Sequence, residues 1–173
     1  MQAGGRLFYA TLRRIPIHCA AFGVECQYMR EIARTALVPY SPQQMFDLVE
    51  DFERYPQFVP WVASAQILER GDGYVVGQLE MQRSGLRERF ATRVSFTPPE
   101  RIEMSLVEGP FKTLYGLWSF TPIQDRGTKV SLKMQFEFSH ALASLLLSKT
   151  FEKNCSQLVD AFVQRARALY EQK

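Results

Sequence analysis

The sequence predicts an α+β domain in which a curved antiparallel sheet of about seven strands wraps around one long C-terminal helix, with two short helices after the first strand. Short segments rich in β-forming residues follow one another, and the turns between them are too short for parallel crossover connections. The last segment, from His140 to about Gln172, contains neither Gly nor Pro and has the apolar spacing of one long helix. Together these observations indicate a sheet that curls around the terminal helix.

Composition limits the class of protein. The 173 residues, 46% apolar and 23% charged, have the balance of one soluble globular domain. The longest apolar stretches fall far short of the roughly 20 residues that span a bilayer. Most of the net charge of +3 comes from residues 1–28, so the rest lacks the clustered basic face of a general nucleic-acid binder, and no DNA partner is expected. Three cysteines match neither a disulfide framework nor a zinc site and favour a reducing, cytoplasmic compartment.

Residues 1–28 lack a clear hydrophobic period and contain a single acidic residue, Glu25. They are predicted to be an unstructured leader or the result of a mis-assigned start, with translation beginning at Met29. An organelle transit peptide is the alternative, because the segment carries arginines and few acids, whereas the match to a secretory signal is poor. The folded domain is expected to cover residues 29–173.

Regular patterning begins with the strand Glu31–Val38, which Pro39 closes. Ser41-Pro42-Gln43-Gln44 is typical of a helix start, with serine as the N-cap, proline in the first turn and glutamine at the third helical position. A short amphipathic helix follows, because apolar residues recur at helical spacing at Met45, Leu48, Val49 and Phe52. The segment Tyr55–Trp61 carries two prolines among large apolar side chains, which predicts a buried, irregular connector.

The middle of the chain is predicted to form a series of strands bounded by turn sequences such as Gly71-Asp72-Gly73. The predicted strands are Trp61–Glu69, Tyr74–Arg83, Leu86–Thr97, Arg101–Glu108 and Phe111–Thr121. The last strand alternates between polar residues and a regular apolar series, Val130, Leu132, Met134, Phe136 and Phe138. This alternation indicates one buried face and one face in water.

Residues suited to catalysis or metal binding are scarce. The two histidines are His18 in the leader and His140 at the start of the last helix, and no nucleophile elbow or metal-binding motif is present. We therefore expect no catalytic residue, no metal site and no required cofactor. Glu88 falls on the apolar side of its strand, which places it either at a wet edge or beside a cavity that admits polar groups. The position of Glu80 is equally ambiguous.

One strand carries the main concentration of basic residues. Arginines occupy its polar register and the end of the preceding strand, at Arg83, Arg87, Arg89 and Arg93. Such a row is either a solvated sheet face interleaved with acids or a contact for anionic groups, namely RNA phosphates or lipid headgroups. Nearby aromatic residues on which bases could stack are not evident, so recognition of single-stranded RNA is a weak hypothesis.

Large apolar side chains are abundant, with 13 Phe, 7 Tyr, 2 Trp and 6 Met. A strongly curved sheet around one helix leaves more interior space than the helix alone can fill, which favours a ligand cavity between them. Burying about ten ligand carbons would supply roughly 8 kcal/mol before the cost of association. An apolar small molecule is therefore the expected ligand.

Three spaced motifs carry a resemblance to a known family. They are Val38-Pro39-Tyr40-Ser41, Tyr55-Pro56-Gln57-Phe58-Val59-Pro60-Trp61, and Glu108-Gly109-Pro110-Phe111 followed by Leu114-x-Gly116-x-Trp118-x-Phe120-x-Pro122. Over residues 29–173 the chain resembles the coenzyme Q-binding branch of the START-like (polyketide cyclase/dehydrase) superfamily. The resemblance implies a helix-grip fold whose cavity binds ubiquinone or its precursors, in support of respiration or quinone biosynthesis. The bacterial members also include ribosome association toxins, which implies binding to the large ribosomal subunit and a block of subunit joining.

The resemblance also suggests ligand-binding residues. The motif positions carried over are Phe58, Val59, Trp61, Phe111, Trp118 and Phe120, and the strand pattern adds Met134 and Phe136; each of them is equally explained as ordinary core. The superfamily name implies enzymes, but the residues supply no base, nucleophile or metal ligand. We therefore expect non-enzymatic binding of ubiquinone or another prenylated lipid, in the cytoplasm with transient contact at the inner membrane face. The alternatives are a ribosome-binding regulator that uses the arginines and a cyclase that uses Glu88.

Overall fold

The computed structural model describes residues 7–16, 28–83, 86–124, 126–139 and 141–171. They form one antiparallel sheet of eight strands and three helical segments. The strands are β1 (Leu7–Pro16), β2 (Tyr28–Val38), β3 (Val62–Gly71), β4 (Tyr74–Arg83), β5 (Leu86–Thr97), β6 (Arg101–Glu108), β7 (Phe111–Pro122) and β8 (Thr128–Phe138). The spatial order is β1-β2-β8-β7-β6-β5-β4-β3. The predicted seven-stranded curved sheet is confirmed by strands β2 to β8, and β1 is an additional edge strand.

Strand β1 differs from the sequence-based expectation, which assigned no regular structure to residues 1–28. Residues Leu7–Pro16 pair antiparallel with β2 along most of its length. The physical reason is that the outer edge of β2 has unpaired backbone donors and acceptors, which a neighbouring β-forming segment can satisfy. The other residues of the predicted leader lie outside the described part of the chain, and the predicted start at Met29 stays a prediction.

The two short helices after β2 are confirmed. Helix α1 (Pro42–Glu50) begins at the predicted N-cap: the Ser41 hydroxyl accepts a hydrogen bond from the Gln44 backbone N–H at 3.2 Å, and the Gln44 side chain accepts one from the Ser41 N–H at 2.9 Å. This reciprocal pair satisfies two of the free donors of the first turn. A 3₁₀ helix over Phe52–Gln57 follows, because Pro56 does not permit a continuous α-helix.

Helix α2 (Ala141–Tyr170) spans 30 residues, or roughly 45 Å, and lies across the inner face of the sheet. It packs mainly on β2 and β8. Ion pairs from β2 also hold it, between Arg30 and Glu152 and between Arg34 and Asp160. Among the described residues, no helix combines the length and apolar character that a bilayer span requires. The predicted His140 lies outside the described residues.

The core lies between this helix and the inner face of the sheet. Along β8 the predicted apolar series, Val130 to Phe138, is buried as expected, and Lys129 and Lys133 are exposed on the outer face. Glu137 departs from the simple alternation because it is also buried, and its carboxylate is paired with Lys112 at 3.2 Å. The strand pattern therefore identified the inner face correctly.

Candidate functional site

A cavity of about 50 Å³ lies between the inner face of the sheet and the helices. Its wall comes from β4 to β8 on the sheet side, from the end of α1 and the 3₁₀ helix, and from the middle of α2. Phe151, Cys155 and Leu158 are the α2 residues of the wall, and they lie on the same face of the helix because they are spaced by three or four positions. The helix thus covers the cavity with an apolar surface.

The wall is almost entirely apolar, with aromatic side chains at several points. The Phe52 ring of the 3₁₀ helix rests against Gly77 of β4, where a Cβ atom would lie 2.7 Å from the ring. Gly77 therefore allows the 3₁₀ helix to approach the sheet closely. The Tyr55 hydroxyl donates a hydrogen bond to the Val49 backbone carbonyl at 2.5 Å. Burial raises the pKa of Tyr55. The ring of Tyr55 therefore presents an apolar surface.

Three of the eight residues predicted to bind a ligand line this cavity: Trp61, Trp118 and Met134. Trp61 closes the wall where the connector enters β3, and Trp118 and Met134 lie on neighbouring strands near its centre. The chain contains two tryptophans, so both face the cavity. Their role in binding stays a prediction.

The other five predicted residues are not in the cavity wall. Phe111 and Phe136 belong to an aromatic cluster with Phe151, with ring centroids 4.7 to 6.4 Å apart. Phe120 packs edge-on against Phe46 of α1 at 5.8 Å, and Phe58 packs against Phe162 of α2 at 5.0 Å. Val59 is fully buried in the core. These side chains support the fold around the cavity.

Sequence reasoning missed most of the wall, including the part that β5 and β6 contribute. Phe90, Thr92 and Val94 alternate along β5, and Ile102 and Met104 alternate along β6. Thr92 has the same register as Glu88, so the alternation places it on the inner side of the strand, but nothing in the sequence locates the cavity beside it. Glu88 shares that inner register and is half-buried. Glu50, an exposed residue at the end of α1, marks where the wall reaches solvent.

The arginine row lies on the opposite, outer face of the sheet. Arg87 and Arg89 both bind Glu80 of β4: the Arg87 Nε lies 3.0 Å from one carboxylate oxygen, and the Arg89 Nε binds the other. Arg93 lies over the ring of Tyr74, with 3.4 Å between the guanidinium carbon and the ring centroid. The Arg83 side chain lies outside the described residues. The ambiguous Glu80 is thus the acid that holds two of the arginines.

Within the described ranges, no group of three His, Cys, Asp or Glu side chains could hold a metal ion. The described cysteine, Cys155, is a buried free thiol in the cavity wall, and burial raises its pKa. A raised thiol pKa disfavours the nucleophilic thiolate. The cavity wall therefore offers apolar contact with few polar groups.

Among known proteins, the chain is similar to ribosome association toxins and to a coenzyme Q-binding protein. Residues 38–163 match the family described as polyketide cyclase/dehydrase and lipid transport. The chain is 41% identical to the ribosome association toxin RatA of Vibrio cholerae, over 82% of this chain and 99% of that protein. It is 30% identical to the mitochondrial coenzyme Q-binding protein COQ10 of Drosophila melanogaster, over 80% of this chain and 59% of that protein. The Zhui aromatase/cyclase of a Streptomyces species shares the fold, with a TM-score of 0.74, 22% identity and coverage of 82% and 96%.

Proposed function

The chain belongs to the family of polyketide cyclases, dehydrases and lipid-transport proteins, and on this premise we propose that it associates with the ribosome through the large subunit. The observation that carries the proposal is the 41% identity with a ribosome association toxin over 99% of that protein's length. Because the similarity covers nearly the whole of that relative, this chain has a counterpart of each segment that the relative could use. The same similarity supports a cytoplasmic location.

The surface that fits this role is the outer face of β5. Successive outward positions on a strand lie about 7 Å apart, so Arg87, Arg89 and Arg93 present a row of guanidinium groups. Arg87 and Arg89 are mostly exposed, with 60% and 65% of the side-chain surface in contact with solvent. Both bind Glu80 through Nε, the atom farthest from the tip of the guanidinium group. An RNA backbone, with its regular phosphates, is the complementary partner.

Cosedimentation with purified large ribosomal subunits at several salt concentrations tests this proposal. The variant to use is Glu80→Gln, Arg87→Gln and Arg89→Gln together, because it removes the arginines without leaving a buried carboxylate unpaired. We expect weaker binding and a salt dependence whose logarithmic slope falls by about two.

The matched control is Arg54→Gln. Arg54 is 60% exposed and paired with Asp51 at 3.1 Å, and it lies on the 3₁₀ helix, away from the outer face. Both variants lower the net charge by one. If the two variants lose ribosome binding equally, or if the triple variant binds as the wild type does, the proposed surface is wrong. Binding of anionic vesicles by the row, without ribosome binding, would assign it to a membrane surface.

A second function is supported by the cavity, and it is compatible with the first. We propose that the chain binds an apolar small molecule there, of which a prenylated quinone such as ubiquinone is one candidate. The family description includes lipid transport, and one relative is named as a coenzyme Q-binding protein. A cavity needs about 10–15 Å³ to hold one water, and one of about 150 Å³ binds benzene, so the present 50 Å³ admits a few waters and a ring enters only if the wall expands. A prenylated quinone requires the helices to move away from the sheet.

Organic extraction of the purified protein followed by mass spectrometry tests cavity binding, together with saturable uptake of added quinone. Met104→Trp should block uptake because the indole would fill the cavity. Val107→Trp is the matched control on the same strand, since Val107 is 55% exposed outside the cavity wall. Repeated absence of lipid and of saturable uptake would remove this function.

We infer that neither function involves catalysis. Thr92, Cys155 and Glu50 contribute polar groups to the wall, as do the Tyr55 hydroxyl and the indole N–H groups of the two tryptophans, and all of them lie among aromatic and aliphatic side chains. The fold is shared with an aromatase/cyclase, so turnover of a polyketide by the purified protein would overturn the inference. Glu88→Gln would then test the one half-buried acid on the inner side of β5.

A further inference from the structure

We propose that the Thr92 hydroxyl is the polar anchor of the cavity, and that the ligand is a neutral molecule with an apolar body and an oxygen atom that meets this hydroxyl. The proposal rests on the proposed binding of an apolar molecule and specifies its chemistry. It concerns a residue that neither the motifs nor the apolar strand pattern had selected.

Thr92 is buried, with 3% of its surface exposed, and it lines the cavity. Its neighbours on the inner face of β5, Phe90 and Val94, are apolar and also line the cavity. Among the residues that the structure describes, no hydrogen-bond partner is found for the Thr92 hydroxyl. The hydroxyl is not one of the fully buried polar atoms that lack a partner, so it keeps surface that a ligand oxygen can reach, and a hydrogen bond there would favour an oxygen-bearing ligand over a hydrocarbon.

The local backbone directs this side chain. The register between β5 and β6 shifts between Ala91 and Thr92, and such irregularities bend a strand and re-aim its side chains. On the other side, Thr92 pairs with Gly77, against which the Phe52 ring packs. Thr92 is therefore paired with the residue that supports the Phe52 ring on the same cavity wall, an arrangement that suits a flat ligand ring with an oxygen substituent.

The charge of the wall restricts the ligand further. No described residue of the wall carries a positive charge, and its one acid is Glu50. Glu50 lies at the solvent-exposed end of the wall, where partial desolvation and the neighbouring Asp47 raise the pKa of its carboxyl. A fatty acid or other carboxylate would thus enter without a cation to pair with. A hydroxyl both donates and accepts, so ketones, quinones, ethers and alcohols all fit.

The experiment compares duroquinone with durene, the hydrocarbon of the same carbon skeleton, and with tetramethylbenzoate as the anion. Binding is followed by the fluorescence of Trp61 and Trp118, which both line the cavity. We expect the wild-type protein to prefer duroquinone. Thr92→Val should weaken duroquinone binding about five- to tenfold and leave durene binding unchanged, whereas Thr92→Ser should retain the preference.

The outcomes distinguish a failure of the Thr92 anchor from a failure of cavity binding as a whole. If durene and duroquinone bind equally and Thr92→Val changes neither, or if the anion binds best, the anchor is wrong and apolar binding stands. If the wild-type protein binds none of the probes, both the anchor and cavity binding are wrong. Urea unfolding of each variant shows whether it is folded. If Thr92→Val does not fold, the ligand preference of Thr92→Ser is compared with that of the wild type instead.

Discussion

Glu80 and Arg89 lie directly opposite each other on β4 and β5, and they form an ion pair that is buried at one end and exposed at the other. The Glu80 side chain is only 7% exposed, whereas that of Arg89 is 65% exposed. Arg87 binds the second carboxylate oxygen from a diagonal position. The outer face thus has a buried negative charge beneath two exposed positive charges, which makes the two sides of the pair energetically unequal.

Because of this difference in exposure, removing the arginines should lower the free energy of unfolding more than neutralising Glu80. Arg87→Ala with Arg89→Ala leaves a buried carboxylate without a partner and should lower the free energy of unfolding by about 3 kcal/mol. Glu80→Gln leaves two arginines that water can solvate, and should cost about 1 kcal/mol. Urea denaturation of the variants measures both values. A larger loss in Glu80→Gln than in the double variant would show that other groups stabilise the Glu80 carboxylate.

Local sequence patterns predicted most of the fold, and the reason can be seen at particular residues. Ser41 and Gln44 form a cap because both partners lie within one helical turn. The alternation along β8 fixed which side chains face α2. Strand β1 escaped prediction because its position depends on the free edge of β2, and no pattern within residues 7–16 reveals that edge.

The candidate site was predicted only in part, because alternation gives the face of a residue and not its position across that face. Trp118 and Phe120 lie on the same face of β7, yet Trp118 lines the cavity and Phe120 packs under α1. Phe111, farther along the same face, joins the aromatic cluster with Phe136. Which inner residues border empty space is decided by where α2 and the 3₁₀ helix lie.

A substitution at Gly116 should reduce the volume of the cavity. A Cβ atom at this position would lie 2.5 Å from Met104 Cγ and 2.7 Å from Met134 Sδ, and both methionines line the cavity. Gly116→Ala should therefore push flexible side chains inward, at a cost of about 1–3 kcal/mol, and weaken duroquinone binding. Gly73→Ala is the control, because Gly73 has a φ of 71° and no atom within 4 Å of an added Cβ. It should lower stability without changing binding.

The reactivity of the Cys155 thiol should report whether a ligand occupies the cavity. Burial raises the pKa of this thiol, so its reaction with a maleimide at neutral pH should be slow and should require opening of the helices over the sheet. Bound duroquinone should slow it further in a saturable way, measured by mass spectrometry on a Cys19→Ser, Cys26→Ser background. Labelling at the same rate with and without duroquinone would place the bound molecule away from α2.

Tyr40 predicts a stability change at high pH. Its hydroxyl donates to the Glu171 carboxylate at 2.7 Å just beyond the end of α2, and burial, together with that carboxylate, raises the pKa of Tyr40 to about 12. Because the folded pKa lies above the ordinary value of 10.0, the contribution to stability is complete below pH 10. It is lost as the pH rises toward 12, since the unfolded chain ionises first.

Tyr40→Phe separates this contribution from those of Tyr55 and Tyr170, whose pKa values burial also raises. At neutral pH the variant should lose about 1 kcal/mol, the usual net value of one hydrogen bond. Between pH 10 and 12 its unfolding free energy should fall less steeply than that of the wild type. Glu171→Gln should give an intermediate slope, because it keeps an acceptor but removes the negative charge that opposes ionisation. Parallel curves for wild type and Tyr40→Phe, from urea unfolding across this range, would show that Tyr40 ionises equally in both states and that the tether to Glu171 does not form.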